Sequence, residues 1–131
     1  MSTTGSSTAA FDPVRLGNLH LRNRIFVPAH TTNFGRDNLP TDTHVAYHEA
    51  RAGGGVGLII MESLRVHPTS LGKPQGLAAY DHRCVEPLTR IADAVHRHGT
   101  KIFGQIIHLG RQVDGDALRL PSWGPSAIAW D

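Results

Sequence analysis

Three polar clusters stand at the ends of apolar runs. Ala29-His30-Thr31-Thr32 follows Ile25-Phe26-Val27, and Glu62-Ser63 follows the run from Val56 to Met61. Gln105 interrupts a third run, Lys101 to Ile107, and His108-Leu109-Gly110-Arg111 comes after it. A side-chain amide carries both donors and an acceptor, so one glutamine can serve two neighbouring polar atoms of a ligand. Each residue also has an ordinary role on its own. Gln105 could satisfy a backbone group, Thr31 and Thr32 could bond within their own loop, and Glu62 could cap a helix or pair with an arginine. Three successive strands ending in such groups are more informative than any one member.

The elements that position these groups follow from periodicity. Phe11 to Arg24 alternates apolar and polar residues around Gly17-Asn18, the pattern of a short β-hairpin. Ile25 to Val27 is a brief strand entering a polar loop. Pro40 with Thr41 or Asp42 starts a helix, and Gly53-Gly54-Gly55 ends it. Val56 to Met61 predicts a strand covered on both faces. A long Gly- and Pro-rich loop follows from Glu62 to about Tyr80, and loops of that length are usually functional or disordered. Val85 to His98 predicts an amphipathic helix with Val85, Leu88, Ile91, Ala92 and Val95 on one stripe. Lys101 to Ile107 is the next strand, and Gly110 to Asp131 is loop. The order is β-α-β-α-β behind a hairpin, which implies a parallel sheet with right-handed crossovers. In such sheets ligands bind at the carboxyl ends of the strands.

Composition removes several function classes. The chain has 131 residues, 40% apolar and 18% charged, ordinary for one soluble domain. A net charge of +2 with scattered basic residues gives no footprint for nucleic acid. Cys84 is the only cysteine, so the chain has no internal disulfide and no site built from several of its own thiolates. That fits a reducing cytoplasm. His44 and His48 lie one helical turn apart, but no His-Glu-x-x-His is present and no metal site is expected. There is no Gly-x-Gly-x-x-Gly after the first strand, which counts against a dinucleotide-binding Rossmann domain. An unrelated phosphate-binding module also fits poorly, since no Gly-rich loop opens a helix. No apolar run is long enough to span a bilayer. Residues 1–10 lack the features of a secretory signal and are expected to be a flexible tail, leaving 11–131 as one domain.

The segments LGNLHLRNRI, PAHTT, YHEARAGGGVGLIIMES, DAVHRHGTKIFGQIIHLGR and GPSAIAWD occur in the order and spacing of the old yellow enzyme family. The resemblance covers almost the whole chain from Phe11 onward. It implies an FMN-dependent oxidoreductase on a TIM (β/α)8 barrel, of which this chain holds the first three βα units. PAHTT is more similar to the multidomain branch, which includes 2,4-dienoyl-CoA reductases and amine demethylases, than to the short single-domain reductases. The resemblance places the backbone of Ala29 and His30 against the flavin. It gives Thr31 a hydrogen bond to the flavin C4 carbonyl that tunes its potential, sets Ser63 close to the isoalloxazine, and has Gln105 read the pyrimidine edge. Asn33 falls where some relatives carry a substrate-contacting aromatic. The implied reaction passes hydride from NADH or NADPH through FMN to an activated alkene, an enone or enoyl thioester. Run in reverse, the same chemistry oxidises an N-methyl amine.

A barrel of this kind takes about 250 residues. The family's paired histidines or histidine and asparagine, tyrosine proton donor, flavin-contacting arginine and phosphate-binding loops have no counterpart in this sequence. Neither does the 4Fe–4S motif or the second, FAD-type nucleotide domain of the multidomain branch. The expectation is therefore a partner chain or a further segment that completes the barrel, an oligomeric assembly, and little FMN affinity or turnover in this chain alone. A noncatalytic half-barrel serving as a structural or assembly subunit is the alternative, and it predicts that Thr31 and Gln105 can be replaced without loss of function.

Overall fold

The computed structural model describes residues 9–113 and 119–128. Most of the expected N-terminal tail and the end of GPSAIAWD lie outside the described residues. The hairpin forms as predicted. Strands β1 (Val14–Leu16) and β2 (Leu19–Leu21) pair antiparallel, Val14 opposite Leu21. Gly17 sits in their turn at φ 57°, a conformation glycine adopts without strain.

The main sheet is parallel. Its elements, in chain order, are β3 (Phe26–Val27), α1 (Asp42–Gly53), β4 (Leu58–Arg65), β5 (Leu77–Ala78), α2 (Val85–His96) and β6 (Lys101–Ile107). Strand β6 runs along one edge of β4, from Leu58 against Lys101 to Arg65 against Ile107. The other edge of β4 is shared. Strand β3 pairs with its start, Phe26 opposite Leu58, and β5 pairs with its end, Leu64 opposite Leu77.

Three boundaries differ from the sequence expectation. Strand β4 continues past Met61 to Arg65, through residues expected to open a loop. Its carboxyl half was hidden because Glu62, Ser63 and Arg65 are polar, although Glu62 and Arg65 are buried. The remainder of that span is also partly ordered, with a 3₁₀ turn at Pro68–Ser70 and then β5. Helix α2 stops at His96, ahead of the expected His98, and Gly99 turns the chain at φ 72°.

Local chemistry explains the ends of α1. Thr41 is its N-cap, and the Thr41 N–H donates to His44 Nδ1 at 3.0 Å. The imidazole thus takes the part that Glu or Gln plays in a capping box. Beyond the C-terminus, Arg22 gathers the chain. Its guanidinium donates to the carbonyls of Ala52 (3.0 Å), Val56 (3.1 Å) and His98 (2.8 Å), tying the end of the hairpin to the ends of both helices. Asn23 Nδ2 adds a bond to the Gly55 carbonyl at 2.7 Å. Gly57 permits this approach, since a Cβ there would lie 2.6 Å from the Asn23 carbonyl oxygen.

The core lies between the sheet and the two helices. Ala52, Ile59 and Val95 form one cluster, and Met61, Leu64, Leu77 and Ile91 form the other. Ile102 packs against both. Alternation along β6 therefore turns Phe103 and Gln105 to the opposite face of the sheet. On that face the hairpin and β3 make a groove over Leu58 and Ile60, while Phe26 and Phe103 remain 54% and 41% exposed. Ile106, on the helix side, is 73% exposed, and no described residue pairs with the outer edge of β6.

Candidate functional site

The site begins with a register shift. A bulge between Met61 and Ser63 places Ser63, not Glu62, opposite Gln105. The Ser63 hydroxyl donates to Gln105 Oε1 at 2.9 Å. Both side chains stand on the face turned away from the helices, at the carboxyl end of the sheet. The Gln105 amide nitrogen has no partner among the described residues. The amide therefore presents two N–H donors and a remaining lone pair on Oε1, the mixed donor and acceptor set that a heterocyclic edge requires.

Glu62 is the other residue of the bulge and turns inward, 2% exposed. It accepts from the Thr32 N–H at 3.4 Å, from the Thr32 hydroxyl, and from His44 Nε2 at 3.2 Å. The tautomer of His44 follows from its other nitrogen. Nδ1 accepts the Thr41 N–H, so Nε2 carries the proton and donates it to Glu62. Burial alone would raise the Glu62 pKa, but the bonds from His44 and Thr32 outweigh it and hold the carboxyl below its usual range. Thr32 also accepts the Phe34 N–H at 3.3 Å, so its hydroxyl is used in both directions.

The loop from Pro28 to Phe34 is fixed at a second point. His30 Nε2 and the Tyr47 hydroxyl are 2.8 Å apart, and the Arg51 guanidinium lies 3.2 Å from the Tyr47 ring centroid. Ala29, immediately before the His30 anchor, is half-buried. Thr31 is exposed and makes no hydrogen bond among the described residues. Asn33 is exposed at φ 60°, a left-handed conformation that asparagine tolerates better than most side chains. Of the residues singled out in the sequence, Ser63 and Gln105 touch each other, while Ala29, His30, Thr31 and Asn33 share one loop.

Long-range partners at the rim carry no signal in the sequence. Thr69 links the loops after β4 and β6. The Gly110 N–H donates to His108 Nδ1 (3.0 Å), His108 Nε2 donates to Thr69 Oγ1 (3.0 Å), and that hydroxyl donates to His67 Nδ1 (2.9 Å). Trp123 stacks on His67 with ring centroids 4.3 Å apart. His108 therefore belongs to a rim network that fixes one loop against another. Its partner, more than thirty residues earlier, left no local signal. Arg65, at the end of β4, is buried with Nε and Nη1 unpartnered among the described residues. Burial draws its pKa down and the charge of Glu62 opposes that shift. Among the described residues no cluster of three or more His, Cys, Asp or Glu could hold a metal, and no helix is long and apolar enough to cross a membrane.

A parallel α/β sheet with a serine, a glutamine and a pinned polar loop at its carboxyl end is the ligand-binding architecture of βα barrels and related folds. The chain belongs to the NADH:flavin oxidoreductase / NADH oxidase family, whose model matches residues 9–129. It is 36% identical over 126 residues to the N,N-dimethylglycine/sarcosine dehydrogenase of Chromohalobacter salexigens, covering 92% of this chain and 18% of that protein. It is also 36% identical over 130 residues to a multifunctional alkene reductase/demethylase of Caballeronia cordobensis, covering 96% of this chain and 19% of that protein. Among solved structures it superimposes on the old yellow enzyme homologue from Zymomonas mobilis with a TM-score of 0.84 at 34% identity, covering 92% of this chain and 34% of that one. The resemblance to old yellow enzymes seen in the sequence therefore holds. The chain spans less than a fifth of the length of those two curated relatives and about a third of that solved chain.

Proposed function

We propose that this chain supplies the first three βα units of an eight-stranded FMN-binding barrel, and part of the flavin site of an NAD(P)H-dependent oxidoreductase. The Ser63–Gln105 pair carries the reading. Ser63 occupies one lone pair of the Gln105 oxygen and so fixes the amide rotor, leaving the two N–H donors directed by a rigid strand. A flavin pyrimidine edge alternates carbonyl acceptors with one N–H donor, so the free part of the amide fits it. Ala29 and His30 would meet the ring through their backbone, with Tyr47 holding the His30 imidazole aside. The unengaged hydroxyl of Thr31 is available to the C4 carbonyl. Asn33 would contact substrate from the same loop. FMN would supply the hydride chemistry that links NADH or NADPH to an activated alkene. This chain's residues bind and orient the ring and stabilise the negative charge that reduction leaves on its pyrimidine edge.

The remaining strands come from a further segment or a partner chain. Exposed Phe26, Phe103 and Ile106 and the unpaired edge of β6 are the surfaces they would cover. The substrate-anchoring histidines, the tyrosine donor, any 4Fe–4S cluster and any FAD would reside there. A second reading, oxidation of an N-methyl amine, draws support from the names of both curated relatives, a dimethylglycine/sarcosine dehydrogenase and an alkene reductase/demethylase. Producing the protein with its barrel complete and recording its absorbance tests the cofactor. One flavin per chain is expected, and a colourless, fully folded assembly that takes up no FMN would refute the reading. Assaying that assembly with an enone and with an N-methyl amino acid separates the two reactions.

A further inference from the structure

We propose that Glu62 is a positioning residue for the cofactor loop, its buried carboxylate clamping Thr32 and thereby fixing the backbone from Ala29 to Asn33. This rests on the reading in which that loop meets the flavin.

Four observations converge on Glu62. It occupies the bulge of β4, and the extra residue there turns it out of register with Gln105 and toward the loop after β3. Its carboxylate is 2% exposed, and a buried anion survives only where donors compensate its lost hydration. Those donors come from two elements, the Thr32 N–H and hydroxyl from the loop and His44 Nε2 from α1. His44 is itself fully buried and held by Thr41 at the helix N-cap, so the clamp is anchored to the helix and not only to the loop it holds.

The consequence for the loop is geometric. Thr32 is bound through its backbone N–H, which sets the orientation of the peptide joining it to Thr31. The next residue, Asn33, takes φ 60°, a left-handed backbone conformation immediately beyond the clamp. At the other side His30 is tied to Tyr47 on the same helix. Thr31 is thus suspended between two fixed neighbours, with its own hydroxyl unengaged among the described residues. A gap of thirty residues separates Thr32 from Glu62, so the bond joins two successive βα units at the end of the sheet where the ligand is placed. Among the described residues the Glu62 carboxylate bonds only Thr32 and His44, and not Gln105 or the Ser63 hydroxyl. It acts through Thr32.

The test uses the flavin-loaded protein with its barrel complete and compares Glu62→Gln, Thr32→Val, Thr32→Ser and Gln105→Leu. Hydrogen exchange of peptides spanning 29–34 and the dissociation constant of FMN are the two readouts. Thermal unfolding reports whether each variant is folded. Glu62→Gln and Thr32→Val are expected to speed exchange in 29–34 at least tenfold and to weaken FMN several-fold, with exchange in α2 and β6 unchanged. Thr32→Ser, which keeps the hydroxyl, is expected to restore both. Gln105→Leu is expected to weaken FMN while leaving exchange in 29–34 alone. If Gln105→Leu weakens FMN but neither Glu62→Gln nor Thr32→Val changes exchange in 29–34, the clamp is overturned. If Gln105→Leu leaves FMN binding unchanged, the flavin reading fails instead, and the exchange data still decide whether Glu62 holds the loop. Should Glu62→Gln fail to fold, Thr32→Val and Thr32→Ser give the same decision with the carboxylate intact.

Discussion

His48 makes this fold sensitive to acid, and the size of the effect can be worked out. The imidazole is 2% exposed, with both ring nitrogens unpartnered among the described residues, and it packs edge-on against Tyr47 at 5.1 Å between centroids. Its pKa falls from 6.5 to about 4, chiefly by burial, with the nearby charge of Arg51 acting the same way and Glu62 opposing. The folded protein therefore keeps His48 neutral where the unfolded chain has already bound a proton. The unfolded state binds more protons across this window, so stability is full above pH 6.5 and declines as the pH falls toward 4. The drop from 6.5 to about 4 corresponds to about 3 kcal/mol at pH 4, since each tenfold change in proton affinity is worth about 1.4 kcal/mol. That figure is a ceiling, because opening of α1 lets the imidazolium reach water. His48→Leu removes the titrating group and replaces two unbonded polar atoms with apolar ones, so it is expected to match or exceed the parent at pH 7.5. Urea unfolding of both proteins at pH 7.5 and at pH 4 measures the difference. The parent should lose up to about 3 kcal/mol more than the variant between those conditions. Equal losses would show that His48 is hydrated in the fold and would refute the reasoning.

Other perturbations have distinct signatures. Gly57→Ala forces a Cβ to 2.6 Å from a backbone oxygen of Asn23, whereas Gly104→Ala meets only the Leu64 Cδ1 at 2.7 Å, the end of a side chain that can rotate. Chemical unfolding should rank Gly57→Ala as the costlier, about 3 kcal/mol or more against about 1 kcal/mol. Arg22→Met leaves the Ala52, Val56 and His98 carbonyls without their shared donor and should lower stability by about 2 kcal/mol, read as a drop in the thermal midpoint. The pKa of Glu62 is held low in the fold, so its stabilising contribution is present above the ordinary carboxylate range and is lost as pH falls through its depressed value. Acid titration should therefore show a further loss at lower pH, which Glu62→Gln should diminish, while removing the charge that opposes the His48 shift should make the His48 phase larger.

The parts of the fold legible in the sequence were those with local causes. Alternation around Gly17-Asn18 marked the hairpin, and the three glycines after Ala52 marked the end of α1. Gln105 stood out because an amide within an apolar strand is conspicuous. The carboxyl half of β4 was illegible because its polar residues are buried by partners elsewhere, Glu62 by Thr32 and His44. The bulge that turns Glu62 one way and Ser63 the other has no sequence signature of its own. Adjacent threonines also look equivalent in the sequence, yet among the described residues Thr32 is bonded at its backbone and side chain while Thr31 is not. His44 and His48, one turn apart, diverge in the same manner. His44 is the hydrogen-bonded centre of a network, and His48 is a buried ring with no hydrogen bond among the described residues.

The central claim is that Gln105, steadied by Ser63, binds the pyrimidine edge of FMN. Its most direct test is the dissociation constant of FMN for the apo-protein with its barrel complete, measured by fluorescence quenching for the parent and for Gln105→Leu. Removing the amide leaves flavin acceptors unpaired in a dry site, which costs about 1–3 kcal/mol, or roughly 5- to 150-fold in affinity. A rise of that size in the dissociation constant is the expected result, and an FMN affinity unchanged by the substitution would contradict it.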